Sequence, residues 1–334
     1  MARSFESYTS PVATGATKED LDPKLNLLAQ METPIYSSIG RGTTTNTEPS
    51  LIERDLAAAA PNAQPENVQF ITGATGNLEA PDGGTRRTFR TQIFTKFYSV
   101  TGTEQATASV TYEGKKRLAE LRAIYGLELK RDMEYAICRN GAGNAGSADD
   151  QDAAIGDGTA RQLAGYFSLI SAGTTTGSVG TVAEGTAFEN AINANMQALY
   201  ASGGVYYEMG NSFVKDANML VVSPRTKVEF DQRLDEKNST YRQTNSGGML
   251  GVEVTKYGSS FGPLMVVPDI HMPEGSASVY NPMNWKWITL RPTHEQEFAK
   301  TGDGENRGLV HEGCLMHRHR AASGALTGIT YTTS

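Results

Sequence analysis

The chain has 334 residues, of which 38% are hydrophobic and 35 are glycine, enough for two or three domains but lean in core-forming side chains. A net charge of −7 and a pI near 5.4 exclude a dedicated nucleic-acid binder with a basic face. No apolar run approaches the ~18 residues of a membrane span, and the opening MARSFESYTSPVATG lacks the apolar stretch of a secretory signal.

The apolar residues are unevenly placed: 1–65 hold few large ones, and 186–330 hold most of the candidate core. Residues 1–46 read as an arm rich in Ser, Thr, Pro and Gly, with one amphipathic piece, LDPKLNLLAQME, halted by Pro34. Such a segment cannot offset its own ordering entropy and is expected to order on a partner. Residues 47–99 read as a two-stranded excursion. Its outgoing strand lies in 50–56, and TRRTFR with QIFTKFYSV forms the return, placing Phe89, Ile93 and Phe97 on one face. The connecting stretch is full of Pro, Gly and Asn. An isolated hairpin is marginal in water, so this one should lie across something else.

The period-3.6 pattern predicts one long helix over 104–139, with Val110, Leu118, Leu121, Ile124, Tyr125, Leu129, Met133 and Ile137 on its buried stripe. Such a helix would be roughly 50 Å long, a strut for something larger than one molecule. Gly114 and Gly126 lie inside it and are places for a bend. A polar, glycine-rich loop follows, then the apolar segment QLAGYFSLI at 162–170. Thr186 and Glu189 form a capping box for a helix with Phe188, Ile192, Met196 and Leu199 on one face, stopped by Gly203 and Gly204. NMLVV at 218–222 is a buried strand, and Ser223 caps a helix with Pro224 at its first position. A polar loop, DEKNSTYRQTNSGGML, precedes four short strands, VEVTKY, PLMVVPD, SASVYN and WKWITL. The last stretch alternates like strands joined by a glycine turn.

Several motifs suggest chemistry and fail on context. Gly141, Gly143 and Gly146 spell GxGxxG, but a helix precedes them and the acidic SADDQD follows, opposite to a dinucleotide site. Gly258, Ser260 and Gly262 spell GxSxG, yet a strand rather than a helix follows, so Ser260 is not presented as a nucleophile. Nothing orients His271, His294 or His311 as its base. His311, Cys314, His317 and His319 cluster, but His317 and His319 would share a strand face away from Cys314, half a zinc site at most. A solvated or ion-paired strand is expected instead. Asp303, Glu305 and Gly308 mimic part of a calcium loop in which Arg307 and Cys314 occupy ligand positions. Cys138 and Cys314, far apart in sequence, fit a reduced, cytosolic site of synthesis. Arg86, Arg87 and Arg90 have few aromatic neighbours and are expected to pair with carboxylates of a neighbouring chain rather than stack on bases.

The order of arm, long hairpin, long helix, compact mixed region and return strands resembles the major capsid proteins of tailed bacteriophages with the HK97-type fold. Glu32, Thr33 and Pro34 match an arm motif of the form ETP. TQIFTKFYSVTGTEQA resembles the approach to the family's spine helix and LELKRDMEYAI its second half; LRP at 290–292, FAKTGD at 298–303 and VHEGCLMHRHRAASG resemble its closing strands. The resemblance implies an α+β capsid subunit: arm 1–46, extended loop 47–99, peripheral domain 100–183 with the spine helix 104–139, axial domain 184–289 with a tip loop in 236–250, and C-terminal strands 290–334 returning to the peripheral domain. It implies hexamers and pentamers of an icosahedral shell around double-stranded DNA, with no enzymatic activity, cofactor, metal or membrane. Arg86, Arg87, Arg90, Glu32 and Pro34 would contact neighbouring subunits. Some capsids of this fold cross-link through an extended-loop lysine; residues 47–95 contain no lysine, which favours non-covalent or cement-protein stabilisation. A chain opening at Met1 without a long helical extension implies a separate scaffolding protein, and a portal would complete the shell. The alternatives are an encapsulin-like compartment or another virion component and, remotely, a serine hydrolase using Ser260. Substituting Leu121 or Ile124 with Asp should abolish folding, whereas altering Arg86 or Arg87 should spare it.

Overall fold

The computed structural model describes residues 33–53, 84–107, 117–144, 160–171, 178–181, 218–237, 256–259, 262–300, 302–318 and 323–329, with isolated positions 63, 66, 190, 192–194 and 197. Among the described residues the architecture is mixed α+β, with three sheets. The central element is an antiparallel pair, β10 (Trp285–Glu297) and β11 (Gly304–His317), flanked by β1 (Gly40–Thr43) and β4 (Gln92–Thr101) in the order β1-β10-β11-β4. β1 runs parallel to β10, and β4 antiparallel to β11. Both faces of β11 are buried along most of its length, so it reads as a continuous core strand. Gly313 permits this closeness, because a Cβ there would lie 2.7 Å from Trp287 Nε1.

A six-stranded sheet has the order β5-β12-β9-β6-β8-β7, built from β5 (Ser178–Thr181), β6 (Asn218–Val222), β7 (Lys256–Ser259), β8 (Gly262–Pro268), β9 (Ala277–Tyr280) and β12 (Gly324–Thr327). β6 is buried on both faces: Met219 and Val221 join one core, Leu220 and Val222 the other. The expected cap is present, since Thr226 N–H donates to Ser223 Oγ at 3.4 Å at the start of the helix Pro224–Lys237. The C-terminal segment divides between the sheets: β10 and β11 lie in the first, and β12 pairs with β9 and β5 in the second. The capping box at Thr186 and Glu189 and all but the first two residues of the 236–250 loop fall outside the described residues.

Two short helices, α1 (Pro34–Ser38) and α2 (Gly102–Thr107), precede the longest, α3 (Arg117–Arg139). The single helix expected over 104–139 is corrected. Arg117 Nε donates to Glu104 Oε1 at 3.0 Å, yet in one straight helix these residues stand about 20 Å apart along the axis, beyond the reach of both side chains. α2 and α3 are therefore not one straight helix, and residues 108–116 between them lie outside the described residues. α3 itself has 23 residues, about 35 Å, and runs without interruption through Gly126.

The buried stripe of α3 is Leu129, Met133, Ala136 and Ile137, packed with Phe94, Tyr98 and Leu309 in one core; Leu121 and Ile124 are only half-buried. The expected face of β4 is likewise corrected. Ile93 and Phe97 are 47% and 62% exposed, and Phe94, Tyr98 and Val100 point inward. Apolar residues occur at adjacent positions in β4, so alternation alone does not select a face; pairing with β11 beneath α3 does. Lys96 also points to α3, its Nζ 2.8 Å from Asp132 Oδ2. Met133→Asp is expected to cost about 4 kcal/mol or more and to prevent folding, and Leu121→Asp substantially less, read from soluble yield and urea unfolding.

Candidate assembly interface

The arm joins the body at α1. Pro34 occupies the first turn of this helix, and Thr33 before it forms no side-chain cap. The cap comes from α3 instead: Ile35 and Tyr36 N–H each donate to a Glu134 carboxylate oxygen at 2.7 Å. This explains what the ETP motif does here, since Pro34 directs the next two amides toward a buried carboxylate. Glu32 lies outside the described residues.

The hairpin is rooted by β2 (Ser50–Glu53) pairing with β3 (Thr85–Thr88). Its return strand ends at Thr88; β4 belongs to the four-stranded sheet, a correction to the longer return expected through QIFTKFYSV. At the root, Arg87 Nε donates to Glu53 Oε2 at 2.9 Å, and the other Glu53 oxygen lies 3.3 Å from His317 Nδ1 at the end of β11. His317 is buried, with Phe89 and Trp285 rings edge-on at 5.0 and 5.7 Å, not on a solvated strand. Arg90 donates to Glu48 Oε1 at 3.3 Å and to the Gly143 carbonyl at 3.1 Å. Arg87 and Arg90 thus meet partners within their own chain. Arg86 is exposed and, among the described residues, donates to the Ser50 hydroxyl at 3.2 Å, leaving its charge outward.

Two interior polar knots hold this frame. Glu312 on β11 is buried and accepts from Arg161, from Arg291 Nε at 2.7 Å and from Thr91 Oγ1 at 3.0 Å, tying three segments to one carboxylate. His311 accepts from Trp287 Nε1–H at 3.0 Å through Nε2, so its proton sits on Nδ1, 3.1 Å from Thr293 Oγ1. Burial, aided by the Arg41 charge, pushes the pKa of His311 down to about 4. Neither knot was legible as a site. Glu134 gave the best available signal, a carboxylate beside Met133 and three residues before Ile137, on the buried side of α3.

The catalytic alternatives lose their geometry. Ser259 pairs with Gly262, so GxSxG spans a tight β7–β8 hairpin, strand to strand, without the helix an activated serine needs; Ser260 itself lies outside the described residues. Gly141 and Gly143 follow the end of α3, and Asn144 bridges to Gln162, which opposes a phosphate-cradling turn. His311 and His317 are each engaged separately, and His319 falls outside the described residues.

On the outer face of the first sheet, Ile93, Phe97 and Phe298 are exposed, the last two edge-on at 5.5 Å over Gly308, where a Cβ would lie 2.8 Å from the Phe97 ring. β4 is the last strand of its sheet among the described residues.

An arm and a hairpin held by their roots to a body of two sheets and a long helix define the HK97-type capsid fold. The chain is similar to the subunit of the cyanophage A-1(L) capsid, with TM-score 0.67 and 11% identity over 96% of this chain and 99% of that one. It is also similar to the capsid of the native GTA particle, with TM-score 0.64 and 10% identity over 96% and 99%. The SrpI encapsulin of Synechococcus elongatus PCC 7942 follows, with TM-score 0.54 and 8% identity over 93% and 95%. At these identities the likeness is one of fold. No curated protein matches the sequence. The family model for the SU10 major capsid protein matches residues 6–330, and the chain belongs to that family. It is a shell-forming protein of the virion capsid.

His311 provides a check on the interior. Its folded pKa lies below the ordinary 6.5, so between about pH 6.5 and about pH 4 the unfolded chain binds more protons and stability falls as pH falls. The expected loss at about pH 4 is on the order of 3 kcal/mol, read from urea unfolding, and His311→Gln should flatten this dependence.

Proposed function

We propose that copies of this chain assemble as hexamers and pentamers of an icosahedral shell enclosing phage double-stranded DNA. The match to the SU10 family across residues 6–330 carries this reading. The arm is 1–46 and the extended loop 47–99, both reaching over neighbouring subunits. The peripheral part comprises 100–183 and 290–334 around the β10–β11 pair and α3. The axial part is 184–289, with β5 and β12 added to its sheet and 236–250 at the symmetry axis. Among the described residues the hairpin consists of two four-residue strands with half-exposed or exposed side chains, so a partner surface is needed to bury its inner face. An acidic subunit lets DNA be enclosed without tight phosphate binding, which would impede packaging and release.

Stability of the shell rests on many modest contacts summed over copies. Residues 47–95 hold no lysine, and Lys96 is engaged by Asp132, so a covalent cross-link through this loop is replaced by non-covalent contacts and a cement protein. Assembly uses a separate scaffolding protein and a portal. Synthesis is in the host bacterial cytoplasm, consistent with two buried free thiols. The likeness to an encapsulin favours one further reading, a protein compartment; finding nucleic acid rather than protein cargo inside native particles would decide for the virion.

Electron microscopy of the purified chain, with its scaffold where required, is expected to show closed particles of uniform size; a monomer under all conditions overturns the reading. Arg86→Glu is expected to leave the unfolding midpoint within about 0.5 kcal/mol of the parent and to reduce the yield of closed particles.

A further inference from the structure

Three titratable side chains meet inside the protein where α3 faces the turn after β8. Glu134, Cys138 and Asp269 are all buried, and one oxygen or sulfur atom of each lies within 4.8 Å of the others. The site joins three parts of the chain. Glu134 accepts the Ile35 and Tyr36 N–H groups of α1, which leads directly into β1 of the four-stranded sheet. Asp269 accepts the His271 N–H at 2.9 Å, and the Cys138 thiol donates to its other oxygen at 3.3 Å. The Asp269 N–H donates to the Val222 carbonyl at 2.9 Å, which fastens this turn to β6 of the six-stranded sheet.

The surroundings do not neutralise two negative charges. Among the described residues the hydrogen bonds to the two carboxyls come from backbone amides and a thiol. From α3, Arg139 lies at the surface and donates to the His271 carbonyl at 2.9 Å, and Arg131 acts on His271. From the turn, His271 is half-buried, and burial lowers its pKa, favouring the neutral ring. From β9, the Tyr280 hydroxyl stands 3.3 Å from Ser38 Oγ, and its pKa is driven upward by burial. α1 contributes dipoles and no charge. Two buried carboxylates this close repel strongly when both are ionised, so the pair retains a proton that separated carboxyls would have lost.

We propose that Glu134 and Asp269 share one proton and form a latch between α1–α3 and the six-stranded sheet, closed while the proton is held and loosened when it leaves. Burial first, and then the adjacent Asp269 charge, raise the pKa of Glu134 to about 8, while the two backbone N–H bonds oppose the rise. The folded-state value lies above the ordinary 4.5, so the latch is fully stabilising below about pH 4.5 and loses that contribution as pH rises through about 8. The amides of α1 bind an ionised Glu134 more strongly, so α1 stays with α3. The contact that gives way is the one between α3 and the β8 turn, which orients one sheet against the other.

Infrared difference spectroscopy on the full-length protein is expected to show a protonated buried carboxyl at about pH 7 that is lost with a midpoint near 8. Hydrogen exchange, corrected for intrinsic rates, should show protection at the Asp269 and His271 amides falling about tenfold or more between about pH 7 and about pH 9, with the Ile35 and Tyr36 amides retained. Asp269→Asn supplies a neutral donor in place of the shared proton, and its protection should be flat over that range. Absence of the carboxyl band in the unsubstituted protein overturns the proposal, whether or not the variant folds. Equal pH dependence in Asp269→Asn and the parent overturns it as well.

Discussion

The antiparallel register between β10 and β11 is the constraint on which the other elements depend. It runs from Trp285 against His317 to Glu297 against Arg307, with register shifts around Arg291. β1 adds to its β10 side and brings the arm, and β4 adds to its β11 side and brings the strand that leads from the hairpin to the helices. The end of β11 presents His317 to Glu53 at the hairpin root. A slip of one residue would invert every side chain of β11, exchanging the positions of His311 and Glu312 and losing both polar knots together.

Those knots show how a subunit with a modest core holds its excursions in place. Glu312 gathers two arginines and a threonine from distant segments, and Glu134 caps a helix about a hundred residues earlier in the chain. A buried carboxylate satisfied by several donors is costly to break, because loss of a partner leaves a charge or an amide unpaired in low dielectric. Such contacts set orientation more than they add net stability. That property suits a protein whose arm and hairpin must leave the body at defined angles.

Membership of the SU10 capsid family gives these angles their meaning. The outward charge of Arg86, the exposed Ile93, Phe97 and Phe298, and the thin two-stranded hairpin are unfinished surfaces in a single subunit. In the proposed shell, neighbouring copies of the chain would cover them. The buried Glu134, Cys138 and Asp269 join α1 and α3 to the turn that is fastened to β6 of the six-stranded sheet.

Sequence by itself determined the fold class and the family. The Ser223–Pro224 helix start, NMLVV as a buried strand and the failure of the GxSxG and GxGxxG contexts all follow from local pattern, which needs no knowledge of neighbours. Only the tertiary structure decided what depends on partners distant in sequence. It made two helices, α2 and α3, of one periodic pattern, because an ion pair joins Glu104 and Arg117, which a straight helix would hold apart. It chose the inward face of β4, where adjacent apolar residues made either alternation acceptable. It turned Arg87 and Arg90 to carboxylate and carbonyl partners of their own chain, sent β12 to the second sheet, and made a capping group of Glu134. Periodicity records which side of an element is buried, and the identity of a buried charge's partner is written only in three dimensions.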